Sequence, residues 1–112
     1  MASTTVTCPA PPNGALTSAP IPIDLRRYSS GVGLLLTISG TLTSATVQVT
    51  GDNIETQGYN PATGHWNSHD TLFLQTQSAN GSLAFPVTAV RLVVVGPVGN
   101  ASATLAVVQV DV

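Results

Sequence analysis

The chain has 112 residues, of which 7% are charged, with three arginines, no lysine and a formal net charge of −2. A typical globular domain carries about 25% charged residues. Phosphate binding needs clustered cations that displace counterions, so this composition excludes an extended nucleic-acid surface.

The length fits one domain, with a core limited to what a chain that buries about 65% of its unfolded surface can hold. Its polar side chains are mainly Thr, Ser, Asn and Gln. Such a surface hydrogen-bonds to a partner without desolvating charge, and it repels its own copies only weakly. This points to a chain that lives in an assembly, with a homo-oligomer expected. Composition alone fits a small neutral secreted domain equally well.

Residues 1–22, "MASTTVTCPAPPNGALTSAPIP", hold five of the eight prolines and no charged side chain. Proline fixes φ and removes a donor, which excludes helix and central strand. The segment reads as an extended, partly polyproline arm ahead of a single domain over residues 23–112. The alternative is a disordered tail. Thr4, Thr5, Val6 and Thr7, together with Ile21 and Ile23, are the expected partner-binding residues, with the threonine run adding a strand to a neighbour's edge. The arm is expected to be dispensable for folding. Cys8 is the only cysteine, so no internal disulfide forms, and no reactive or ligand role is expected of it. The N-terminus has neither the basic nor the apolar region of a signal peptide, and no apolar run approaches the roughly 18 residues of a membrane span. Neither export by that route nor a membrane partner is expected.

Beyond residue 23 the period is two. In "GVGLLLTIS" Val32, Leu34, Leu36 and Ile38 share a face, and in "SATVQVT" Ala45, Val47 and Val49 do. "SGT" at 39–41 suggests a connection between adjacent strands. Residues 51–70 read as the principal surface loop, with a short edge strand near Ile54. Asn80 and Gly81 form a turn signal. Pro86 should mark a bulge or edge, "GPVGN" at 96–100 a turn, and "SATLAVVQV" at 102–110 the last strand, with Val108, Val110 and Val112 on one face. No segment of ten or more residues has helical spacing. The expected fold is all-β: an antiparallel β-sandwich, jelly-roll-like, with the N-terminal arm outside it. In "VRLVVV" at 90–95 and "LAVV" at 105–108 both faces are apolar. A long loop or another subunit must cover the second face.

The stretch "TGHWNSHDTLFL" at 63–74 holds both histidines, His65 and His69. Spacing of four suits a helical zinc site, but the surroundings are Gly, Asn and Ser without helical pattern. In a strand the two rings would lie about 13 Å apart, too far to share a metal. No metal and no cofactor are expected. Trp66 instead anchors the loop by packing, with Asn67, His69 and Asp70 bonding its backbone. Arg91 lies in an apolar run and must reach a carboxylate, backbone carbonyls or the protein edge; Asp70 is the expected partner. Asp52 and Glu55 approach each other only around a turn, and nothing places them across a cleft. There is no nucleophile elbow, phosphate loop or dinucleotide fingerprint, so no enzymatic activity is expected. Asn80 and Asn100 match the glycosylation pattern, which means little without export.

Residues 64–93, "GHWNSHDTLFLQTQSANGSLAFPVTAVRL", resemble a pattern in small virion proteins of tailed bacteriophages. The matching positions are Trp66, Asn67, His69, Asp70, 78–81, 83–92 and the strand 102–110. The resemblance implies a non-enzymatic virion protein made in the host cytoplasm and carried on the capsid surface. A decoration or cement protein bridging subunits of the major capsid protein comes first, with a tail or head-fibre component close behind. A second resemblance is to discoidin and carbohydrate-binding jelly rolls, through "SATVQVTGD", the Trp-containing loop and "VTAVRLVVV…GNASATLAVVQV". This chain is shorter and lacks their bracketing cysteines. That resemblance implies sugar stacking by Trp66, Tyr59 and His65.

Overall fold

A computed structural model of the chain describes residues 2–9, 14–23, 32–40, 42–83, 87–96 and 101–109. The strands in chain order are β1 (Ala2–Pro9), β2 (Ala15–Thr17), β3 (Ile21–Pro22), β4 (Val32–Ser39), β5 (Ser44–Thr50), β6 (Asn67–Ser68), β7 (Ala79–Ser82), β8 (Ala89–Val95) and β9 (Ser102–Gln109). They form two antiparallel sheets. Sheet A has the order β1-β9-β4-β7, and sheet B has β2-β8-β5-β6, with β3 also on β8. The sheets pack face to face as a β-sandwich, as the period of two requires.

The core is the set of inward positions. Leu34 and Leu36 of β4 meet Val47 of β5, Leu92 and Val94 of β8, and Leu105 and Val107 of β9, all fully buried. At about 25 cal/mol per Å² of apolar surface, each such side chain contributes roughly 1.5–3 kcal/mol. On β9 the buried positions are Ala103, Leu105 and Val107, while Val108 faces outward, half-buried. The register places Val108 opposite Gly33 and Val107 opposite Leu34, so β4 decides which face of β9 goes inside.

Several expectations are corrected. The described part of residues 1–22 is not an arm apart from the domain. β1 pairs with β9 residue for residue from Ala2↔Gln109 to Pro9↔Ser102, and Cys8 is buried in the core. β2 and β3 pair with β8. Ser18 bridges the gap between them: its amide donates to the Leu92 carbonyl and its hydroxyl accepts from the Leu92 amide. Ile21 and Ile23 are core residues, 5% and 7% exposed, and offer no partner a contact. The prolines do exclude central strands, since every strand from this segment lies at a sheet edge or beside one.

The connection at 39–41 crosses from sheet A to sheet B rather than joining neighbours. Gly40 sits at φ +80°, and a Cβ there would lie 2.9 Å from the Ala101 Cα. Asn80 and Gly81 are inside β7, opposite Leu35 and Leu34, not in a turn. Gly81 is required by close approach: a Cβ would lie 3.1 Å from Leu72 side-chain carbons and 3.2 Å from the His69 ring. The short edge strand in the long loop is Asn67–Ser68, not a segment near Ile54. Pro86, residues 97–100, Val110 and Val112 lie outside the described residues.

Candidate functional site: the 51–75 loop and its anchor strands

The polypeptide between β5 and β7 is held by three successive hydrogen-bonded stations. The first is Asp52. Its Oδ2 accepts from the His65 amide at 2.7 Å and from the Tyr59 hydroxyl at 3.1 Å, and its Oδ1 lies 3.2 Å from His65 Nδ1. The His65 amide is the main reason the Asp52 carboxyl sits below the usual carboxylate range. Partial burial opposes that shift, and Tyr59 and the His65 ring add to it. Burial raises the Tyr59 phenol, with Asp52 acting in the same direction. Thr50 extends the station, donating to the His65 carbonyl at 2.7 Å and accepting from the Asp52 amide at 3.0 Å. Thr88 donates to the carbonyls of Thr50 and Asp52.

The loop inside this closure is a chain of local turns. Asn53 Oδ1 accepts from the Glu55 amide, and Asn60 Oδ1 caps the single 3₁₀ turn Pro61–Thr63 through the Ala62 amide. Between these turns lies a shallow cavity of about 320 Å³, lined by Asp52, Asn53, Thr56, Tyr59, Asn60, Thr63, Gly64 and His65. The Glu55 amide is engaged by Asn53, and the Asp52 carboxylate is turned to His65 and Tyr59.

The second station is Trp66. Its ring lies under the guanidinium of Arg91, 4.1 Å from Arg91 Cζ to the ring centroid. Arg91 Nε donates to Gln48 Oε1 at 2.7 Å and Nη1 to the Pro61 carbonyl at 3.1 Å. Arg91 thus satisfies itself on an amide, a carbonyl and a π face, with partial burial lowering its pKa. The expected Asp70 partner is corrected: the Asp70 side chain is 89% exposed and lies 3.4 Å from His69 Nδ1 instead. The indole N–H of Trp66 is buried and finds no acceptor among the described residues.

The third station is His69, 6% exposed. Nδ1 accepts the amides of Thr71 and Leu72, each at 3.1 Å, and Nε2 donates to the Ser82 carbonyl at 2.7 Å. These bonds assign the neutral ring with its proton on Nε2. With the Nδ1 lone pair committed to amides, the nearby Asp70 is a neighbour rather than an ion-pair partner. The His69 backbone donates to the Val47 carbonyl, and Val47 in turn donates to Leu72, which carries the loop along the free side of β5. Asn67 does its part through the backbone, paired with Val49 in β6.

The two histidines therefore serve separate stations, His65 with its side chain 91% exposed and His69 buried. No group of three His, Cys, Asp or Glu side chains that could hold a metal occurs among the described residues. Sequence reasoning missed Gln48, Thr50 and Ser82, which are polar residues at strand positions and carry no signal of their own. The Asp52–His65 pairing spans 13 residues of loop without a period to announce it.

The same loop covers the Arg91 end of β8 from within the chain. Among the described residues the outer face of β9 has no such loop contact. The outer face of sheet A carries Leu35, 42% exposed, beside half-buried Ala106 and Val108. Thr5, Thr7, Thr37, Thr104 and Asn80 surround them without a charge. Thr7 and Thr104 join across this face at 3.0 Å. Comparison with protein families, with curated protein sequences and with solved structures finds no match for this chain.

Proposed function

We propose that the chain is a non-enzymatic structural protein of a tailed-phage virion, a capsid decoration or cement protein that stabilises the shell by bridging neighbouring subunits of the major capsid protein. The observation that carries this reading is the outer face of sheet A, which is uncharged among the described residues. Its apolar centre at Leu35, Ala106 and Val108, ringed by threonine, suits a broad contact made without desolvating charge. Thr5 and Thr7 of β1 border the same face, while Thr4 and Val6 lie on the inward side. The strand orders support a finer description. With two-residue β3 set aside, the eight described strands run 1-8-3-6 in one sheet and 2-7-4-5 in the other, an order that supports the jelly-roll reading. Jelly rolls serve in viral capsid and lectin domains.

The test is whether the chain co-purifies with intact particles at fixed stoichiometry through a density gradient, and whether particles lacking it lose heat resistance. Free chain at the top of the gradient and unchanged particle stability would reject the capsid reading. Recovery with detached tails or fibres would move the chain to that part of the virion.

A second reading, carbohydrate binding through residues 51–70, is favoured by the shallow cavity lined by Asp52, Tyr59 and His65. Against it, one face of Trp66 is occupied by Arg91. Binding on a glycan array that is lost in His65→Ala would support it, and a blank array would reject it.

A further inference from the structure

We propose that β1 is the seam of a two-fold symmetric dimer, in which Ala2–Pro9 of one chain pairs antiparallel with Ala2–Pro9 of a second copy. The proposal does not depend on what the outer face of sheet A docks against.

Sheet A ends at β1, whose inner neighbour β9 occupies one side along all eight residues. In any strand the backbone groups alternate in direction, so about half of the β1 amides and carbonyls point to the open side. The other sheet margins are short. β7 has four residues, β2 three, and β3 and β6 two each. Proteins blunt a long edge with charge, internal proline or a bulge. The β1 sequence "ASTTVTCP" has no charged residue, its one proline closes it at Pro9, and its register with β9 runs one to one without a bulge. Among the described residues the edge is therefore long, straight and unguarded.

A second β1 fits this edge in three respects. Antiparallel pairing about a two-fold supplies a strand of equal length whose donors and acceptors match the open ones by symmetry. Two such strands bring no charge together, which complements an edge with none, and the low charge of the chain opposes association only weakly. Finally, Val6 is half-buried and Thr4 exposed on the inward side of β1, at the margin of the core. A neighbouring strand would extend that margin over both. The product is one continuous eight-stranded sheet whose uncharged outer face is doubled.

The experiment uses the full chain. Sedimentation equilibrium of the purified protein should show a dimer in the range of about 100 µM and below. Hydrogen exchange should show protection of successive β1 amides rather than of alternate ones. Cys8 permits ligation of a synthetic segment 1–7 to residues 8–112, so a single N-methyl group can be placed on the Thr5 or the Val6 amide. One of these two amides faces β9 and the other the open side. One variant should therefore keep the fold and dimerise at least about tenfold more weakly, while the other loses β1–β9 pairing and thermal stability. A monomer at all concentrations overturns the proposal, even where β1 captures a strand of another protein. So does a dimer that both N-methyl variants retain.

Discussion

The guanidinium of Arg91 lies over the indole of Trp66, 4.1 Å from its centroid, and this contact ties the outer face of β8 to the long loop. Arg91 also donates to Gln48 and to the Pro61 carbonyl, so one side chain holds a strand neighbour, a 3₁₀ turn and an aromatic ring together. Arg91→Met should destabilise the chain by about 1–3 kcal/mol, because two acceptors lose their donor. Combined with Trp66→Leu the effects should be less than additive by about 0.5–2 kcal/mol. Combined with Asp70→Asn they should simply add. Urea unfolding of the singles and doubles checks this, and coupling of Arg91 to Asp70 would contradict it.

His69 gathers two amides from the loop and a carbonyl from β7. His69→Ala should cost about 2–4 kcal/mol through stranded amides and lost volume. His69→Asn should cost less, since its Oδ1 can take the place of Nδ1 towards Thr71 and Leu72. Equal losses in the two variants would show that the Nδ1 bonds contribute nothing.

Asp52 links stability to pH. Its folded pKa is depressed, chiefly by the His65 amide. Its contribution is therefore present above the unfolded value of about 3.9 and is lost as pH falls through the folded value. Unfolding midpoints of the wild type should drop faster than those of Asp52→Asn as pH is lowered from 5 through that window. Parallel curves would remove Asp52 from the account.

Leu74 stands at φ +53°, a left-handed conformation that costs a non-glycine residue about 1 kcal/mol or more. It is pinned there by its amide on Thr46 Oγ1 and by the backbone pairing of Gln75 with Ala45. The side chain is 57% exposed, so little packing is lost on its removal. Leu74→Gly should raise stability by about 0.5–1 kcal/mol, read from the thermal midpoint; a fall would mean that the exposed leucine packs more than its surface indicates.

The sandwich was legible because burial alternates with period two, and β4 keeps that period through Val32, Leu34 and Leu36. The N-terminal edge strands are not legible in the sequence, because proline spacing reports what a strand cannot do, not where an edge strand lies. Nothing local in "ASTTVTCP" names β9 as its partner, and Ile21 and Ile23 look like any isolated apolar pair. Asn80 and Gly81 carried a turn signal, yet Gly81 serves to let a strand pass close over Leu72 and His69. Trp66 meets Arg91 across the loop, and His69 bonds Thr71, Leu72 and Ser82. Arg91 took Trp66, Gln48 and a carbonyl rather than Asp70, since pairings made across sheets leave no period in the sequence.

The central claim is that the outer face of sheet A binds the capsid shell. Its most direct test is co-sedimentation of the purified chain with particles that lack it, comparing the wild type with Leu35→Glu and Ala106→Glu. Both positions face outward, so each variant should fold, as circular dichroism can verify. The wild type should bind saturably and raise the temperature at which particles rupture, and each glutamate should weaken binding by at least about tenfold by bringing an unpaired charge into an apolar contact. Equal binding by wild type and folded variants, or no binding by any of them, would contradict the claim.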